Sequence, residues 1–338
     1  MLTFLLSRNL EYEEVIGWAG ANGFECLEID VACSAFPKKR ALLNMPDLLA
    51  GGKSALQKFT EPLRRHNLKI NSFFNYGPNK LDCEPNTRKK AQDGLRETIK
   101  AAALLSVPVV VTNIGSHLKH AGVDNLNPLH TVINPWGIYY HGISHPEGER
   151  LMKEGFEVFA ENYLPLASFA QDYNVKIAFE PSPFGGGAGA VAYSPETFDN
   201  LFKIANHPAL GLNFDVSHLV WQGIDYISYA AILAREGRIF SCHAKDTEIN
   251  WSRVKYAGFL ADSWWRFRMP GWGEVDWPEL IKTLRASGYD GALVLEPEDP
   301  YLGWKFDENG KTKDIELAKK GYLMGLQYLR HAALVAGS

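Results

Sequence analysis

The sequence predicts an α/β fold, a single (β/α)8 barrel of the TIM type spanning residues 1–338, with long insertions after strands 4 and 7. Three observations predict it. Eight short apolar runs recur along the chain, longer helical patterns separate them, and no GxGxxG follows the first run. Strands that are apolar on both faces belong in a parallel sheet covered by helices. Eight such units in 338 residues suit a closed barrel better than a doubly wound sheet.

The strand candidates, in order, are LTFLLS (2–7), FECLEIDV (24–31), LKINSFF (68–74), PVVVTNI (108–114), VKIAFE (175–180), LGLNFD (210–215), IFSCHA (239–244) and ALVLE (292–296). Helix signals lie between them. Ser194 before Pro195 reads as an N-cap followed by proline at the first helical position. Asp276 opens a helix that Gly288 stops. NTRKKAQDGLRETIKAAALL has helical apolar spacing on a charged background, and DIELAKKGYLMGLQYLRHAALVAG is a long amphipathic helix. Residues 115–149 and 246–275 exceed ordinary barrel loops and fall on the strand-to-helix side, where barrel enzymes carry their sites.

Composition narrows the function classes. Hydrophobic residues make up 46% of the chain, enough for a sizeable core, and the formal net charge is −4. That charge argues against a nucleic-acid surface and a polybasic membrane patch. No apolar run approaches the ~20 residues needed to span a bilayer, and the start, MLTFLLSRNL, lacks the basic n-region of a signal peptide. Cys26, Cys33, Cys83 and Cys242 form no CxxC pair and read as reduced thiols, so the expected location is cytoplasmic.

The chemistry concentrates at the ends of the last four strands. IAFEP and LVLEP each stop on a carboxylate followed by proline, Glu180 and Glu296, while Asp215 and His243 end the two strands between. In a barrel these ends point into one mouth, where three carboxylates and an imidazole repel unless a cation joins them. Their O3N donor set favours a hard or borderline divalent ion, Mn²⁺ or Mg²⁺ with Co²⁺ as a further candidate, over thiolate-type zinc. His218, three residues after Asp215, is placed to face the same mouth and bind a substrate hydroxyl. CHAKD adds Lys245 as a substrate contact and Asp246 as the partner expected to orient a metal-bound His243. The GGGAG run at 185–189 has no P-loop spacing and reads as a mobile loop beside Glu180.

FEP (179–181), NFDVSH (213–218), CHAKD (242–246), PGWGEVDW (270–277) and LEPE (295–298) together resemble the xylose-isomerase-like superfamily of metal-dependent sugar isomerases and epimerases. The resemblance covers the second half of the barrel by motif and the first half only by general pattern. It implies Glu180, Asp215, His243 and Glu296 as ligands of Mn²⁺ or a similar ion, Glu180 and Glu296 as proton-transfer groups, and His218 as a sugar contact. Two departures stand out. The chain is longer than the short epimerases, and Ile249 stands six residues after His243, where they carry a substrate-binding arginine. Arg266 or Arg268 in SWWRFRMPGWGEVDW is the candidate replacement, with Trp265 beside it as a substrate contact. This long form resembles the large subunit of C-glycoside deglycosidases, which implies a 3-oxo-glycoside substrate, Mn²⁺ and a small β-sandwich-type partner subunit in a hetero-oligomer; homo-oligomerisation is a further expectation.

The expected chemistry starts with a sugar carbonyl and a neighbouring hydroxyl chelating the metal, which acidifies the adjacent C–H and stabilises the enediolate. A positioned base takes that proton. Epimerisation returns a proton to the opposite face, for which Glu180 and Glu296 are suited. A lyase instead expels the aglycone by β-elimination, with His145 in the first insertion as the candidate additional base. Trp136, Tyr139, Trp264 and Trp265 would wall an aromatic aglycone or be buried against a partner. Both outcomes stand at this stage, beside a sugar-binding barrel without catalysis. A DNA-repair endonuclease is disfavoured by the charge and the single histidine ligand.

Overall fold

Parallel pairing organises the chain. The structure, a computed structural model, describes residues 1–37, 41–117, 146–183, 190–259 and 261–337. Its principal strands are β1 (Cys26–Ala32), β2 (Leu43–Asn44), β3 (Lys69–Asn75), β4 (Val109–Thr112), β5 (Lys176–Phe179), β6 (Leu210–Asp215) and β7 (Ile239–Ala244). An antiparallel ribbon of β8 (Asp246–Ile249) and β9 (Trp265–Arg268) follows, and then β10 (Leu293–Leu295). The main sheet runs β10-β7-β6-β5-β4-β3-β1-β2, all parallel, the order of a barrel wall of seven strands from β10 to β1 with β2 as a short outer strand. The TIM-barrel reading therefore holds.

The first strand is the correction. LTFLLS does not form a strand over 2–7: Leu2 alone bridges Glu28, and Phe4–Ser7 is a helical turn. Leu2 N donates to Leu295 O at 2.9 Å and Thr3 N to Glu28 O at 3.0 Å, so residues 1–3 close the barrel between β10 and β1. β10 has only three residues, so a longer first strand would lack a partner there. In the helical turn Leu5 and Leu6 are both fully buried.

The helices stand where their end signals lie. Asn44, Ser194, Asp225, Asp276 and Asp314 each accept from a backbone N–H in the first turn of the helix they cap. Pro85–Leu104 and Ile315–Val335 cover the wall with their apolar faces. The second insertion becomes the β8–β9 ribbon and a short helix, Trp251–Ala257. Most of the first insertion, with His120, His130, His141, His145, Trp136 and Tyr139, lies outside the described residues, as does the glycine run 185–189.

Candidate metal centre

Each strand ending delivers its side chain by a specific local device. Glu180 N donates to Thr112 O and Glu296 N to Ala244 O, both at 3.3 Å, so the ladder reaches each glutamate. Pro181 and Pro297 then have no N–H to continue it. Asp215 and His243 sit opposite each other in the β6–β7 register. One ligand atom from each of Glu180, Asp215, His243 and Glu296 falls within 4.8 Å of the others. All four are buried; Asp215 and His243 are sealed at 0% exposure, whereas Glu180 (5%) and Glu296 (4%) open to the cavity above.

A lysine stands against this cluster. Lys245 Nζ is 2.7 Å from Glu296 Oε2, 3.0 Å from Asp215 Oδ2, 2.8 Å from Glu298 Oε2 and 4.0 Å from Glu180 Oε1. Burial opposes its charge, yet these carboxylates hold its pKa well above the ordinary value. Charge is matched without direction: His243 Nδ1 and Glu296 Oε2 lie 3.0 Å apart, yet these two atoms, Glu180 Oε2 and Asp215 Oδ2 make no aligned hydrogen bond. Buried polar atoms are rarely left so. Four unsatisfied inward-facing atoms, three carboxylate oxygens and an imidazole nitrogen, are the donor set of a divalent ion, and the cluster can hold one.

Electrostatics separate the members. Burial pushes Glu180 up to about 7, against the pull of Lys245 and His243. Asp215 stays well below its usual range: burial would raise it, but Lys245 and His218 outweigh that. Burial drives His218 down to about 4, so its ring is neutral, with Nε2 3.0 Å from Glu180 Oε1. His243 is held well above its ordinary value by Glu296 and Glu28 in spite of burial.

Glu28 is a partner that the strand-end motifs do not reveal. Its Oε1 lies 2.7 Å from His243 Nε2, and its Oε2 accepts from Ser72 Oγ at 2.5 Å. This turns Nδ1 toward the cluster, the arrangement usual behind a metal-bound histidine. Asp246 does not have that role. It accepts from Gly271 N, Val275 N and Trp277 Nε1 at 3.0–3.1 Å and thereby folds the PGWGEVDW loop.

Of the expected substrate contacts, His218 lines the cavity, whereas Lys245 is buried behind it, 2.7 Å from Glu296. Arg268 and Trp265 are not brought to the cavity wall. Arg268 is held by Asp299 at 2.9 Å and by Glu248, and Trp265 stacks on Trp221 at 4.9 Å. The ribbon instead presents Phe267, two residues from Trp265, with its ring 4.3 Å from Lys245 Nζ and 5.2 Å from His218. Period-two alternation was the available signal: with one indole turned aside, the next residue on that face is Phe267. The cavity encloses about 790 Å³, and Phe74, Tyr76 and Glu298 also line it.

This barrel, with a cluster at the C-terminal strand ends that could hold a metal ion, belongs to the xylose isomerase-like TIM barrel family, whose model matches residues 16–321. Among curated relatives, the uncharacterized protein YfiH of Bacillus subtilis (strain 168) is 27% identical over 328 residues, covering 92% of this chain and 95% of YfiH. An inosose dehydratase of Clostridium perfringens is 25% identical over 159 residues, 45% of this chain and 50% of that enzyme, so the match spans half of the dehydratase. A solved D-psicose 3-epimerase, in the presence of D-fructose, superposes with a TM-score of 0.61 at 13% identity, covering 96% of this chain and 95% of the epimerase. No helix among the described residues is long and apolar enough to cross a membrane.

Proposed function

We propose that this chain is a metal-dependent enzyme that removes the proton beside the carbonyl of a 3-oxo-glycoside and releases the aglycone by β-elimination. The observation that carries the reading is the set of four unsatisfied ligand atoms at the floor of a roomy cavity walled in part by aromatic rings. About 790 Å³ is the size of a pocket for a two-part ligand, more than one sugar ring requires. That relatives include an inosose dehydratase, by name an eliminating enzyme, adds to it.

Glu180, Asp215, His243 and Glu296 would hold the ion, most simply Mn²⁺, and Glu28 would keep His243 Nδ1 turned toward it. When bound, the ion supplies polarisation of the sugar carbonyl and an adjacent hydroxyl, which acidifies the neighbouring C–H. Glu180 is the proposed base. It faces the cavity, and neutral His218 orients its Oε1. As the C2–H bond breaks, its electrons form the C1=C2 double bond, and the bond from C1 to the aglycone breaks. The departing aglycone atom takes up the proton that Glu180 carries after the C2–H bond breaks, which leaves Glu180 ready for another cycle, while Glu296 stays a carboxylate beside Lys245. Lys245 would hold Glu296 and Glu298 in position from behind, at 2.7 and 2.8 Å. His145 is an alternative base from outside the described residues.

Glu180 and Glu296 reach the cavity from β5 and β10, two separated strands, which also suits proton exchange on both faces of one carbon. A ketose 3-epimerase is therefore the second reading. Incubation with a 3-oxo-C-glycoside and Mn²⁺, with a small partner subunit supplied, separates the two. Free aglycone is the expected product; its absence, together with deuterium uptake from D₂O into a ketohexose, would replace the lyase by the epimerase.

A further inference from the structure

The cavity has a second end, built where the turn after the closing seam meets the loop following β10. Phe4 stacks on Trp304 at 5.4 Å, and Trp304 meets Phe306 edge-on at 5.0 Å. The Arg8 guanidinium lies 4.1 Å over Phe4 and 4.6 Å over Phe306. Four hydrogen bonds lock the two segments together: Arg8 Nη1 donates to Gly310 O at 2.7 Å, Asn9 and Thr312 exchange bonds at 3.1 and 3.0 Å, and Thr312 Oγ1 donates to Leu5 O at 2.8 Å. The ring pair and the guanidinium are thus presented by a tied, rigid junction, and Phe4, Arg8, Trp304 and Asn309 all line the cavity.

The charges lining the cavity are unevenly spread. Glu180, Glu296 and Glu298 surround the ligand cluster, whereas Arg8 is the sole cationic side chain lining the cavity among the described residues. Aromatic faces next to a guanidinium select a flat ring that carries negative charge. The rings supply area at little entropic cost, and the planar fork matches a carboxylate or a single ionised oxygen. Asp30, also on the wall, can accept from a ring hydroxyl. The geometry points to a distal subsite for an aromatic ring bearing an anionic oxygen, with Phe4 and Trp304 against the ring and Arg8 on the oxygen. The subsite deepens the proposed function, in which the aglycone would occupy it. It also sets the direction of binding, with the sugar toward the cluster and the charged ring toward Arg8.

The test needs no turnover. Metal-free full-length protein is titrated calorimetrically with 4-hydroxybenzoate and with neutral 4-hydroxybenzamide. Wild type should bind the anion about tenfold more tightly, the effect of one charge-assisted contact, and Arg8→Gln should abolish the preference while leaving the amide unchanged. Should Arg8→Gln fail to fold on losing its bond to Gly310, Asn309→Asp at the exposed rim carries the test, lowering affinity for the anion and sparing the amide. Equal affinity of wild type for the two ligands, a preference that survives Arg8→Gln, or an Asn309→Asp variant that discriminates as wild type does would each overturn the subsite. Anion selectivity without aglycone release would sink only the lyase; aglycone release without anion selectivity would sink only the subsite.

Discussion

The ends of the early strands and the ends of the late strands carry polar groups in opposite states. At the ends of β3 and β4 they are amides with partners. Asn75 Nδ2 donates to Thr98 Oγ1 at 2.5 Å, while Asn113 accepts from Lys80 at 2.9 Å and donates to Gly77 O at 3.0 Å. Around β5, β6, β7 and β10 they are acids and an imidazole whose inward atoms lack aligned partners. The same architecture thus spends its early half on rigidity and leaves its late half chemically unfinished. Unsatisfied buried groups are costly, and a protein keeps such a cluster where something else completes it.

The comparison breaks most completely at Asp215. Asp215→Ala should take bound divalent ion from about one per chain to none, read by elemental analysis after loading with Mn²⁺; a variant that still holds one ion would remove Asp215 from the ligand set. Glu28→Gln acts at one remove, since it weakens the hold on His243. Its Mn²⁺ affinity should fall about 10- to 100-fold in a calorimetric titration with the fold intact, and unchanged affinity would make Glu28 purely structural. Acid should act more gently. Glu180 and His243 must both give up a proton to bind an ion, and both hold that proton near neutrality. Mn²⁺ affinity should therefore drop roughly tenfold or more per pH unit below 7, and a flat profile between pH 5.5 and 7.5 would contradict the ligand assignment. The smallest effect belongs to the early half. Asn75→Ala should cost about 1–3 kcal/mol of stability in thermal unfolding and leave ion content unchanged; loss of the ion would show that the halves are not separable.

What the sequence reveals of this site follows from how each residue announces itself. A carboxylate ending an apolar run is conspicuous, so Glu180, Asp215 and Glu296 are legible one by one, and His243 joins them by its place in the next strand. Glu28 is just as buried, but in CLEIDV it reads as ordinary polar alternation, because sequence does not show that its side chain points into a closed barrel. The misread first strand has a similar cause. LTFLLS is too short for its periodicity to separate strand from helix, and the deciding fact, a β10 of three residues, lies almost 300 positions away. Phe4, Arg8 and Trp304 come from two loops whose meeting is a tertiary event without a local signature.

The seam through Leu2 also sets an order of assembly. Glu180, Asp215, His243 and Glu296 stand at the ends of four strands paired in a row, and Leu295, just before Glu296, has its carbonyl bound by Leu2 across nearly the whole chain. Tyr322, in the last helix, bolts the same residue through a 2.6 Å bond to Leu2 O. Contacts this distant in sequence are slow to form. The four ligands can therefore gather before the ring shuts, whereas Glu28 on β1 meets His243 on β7 only across the closed ring, so a tight grip on the ion becomes a chemical report that the barrel has closed.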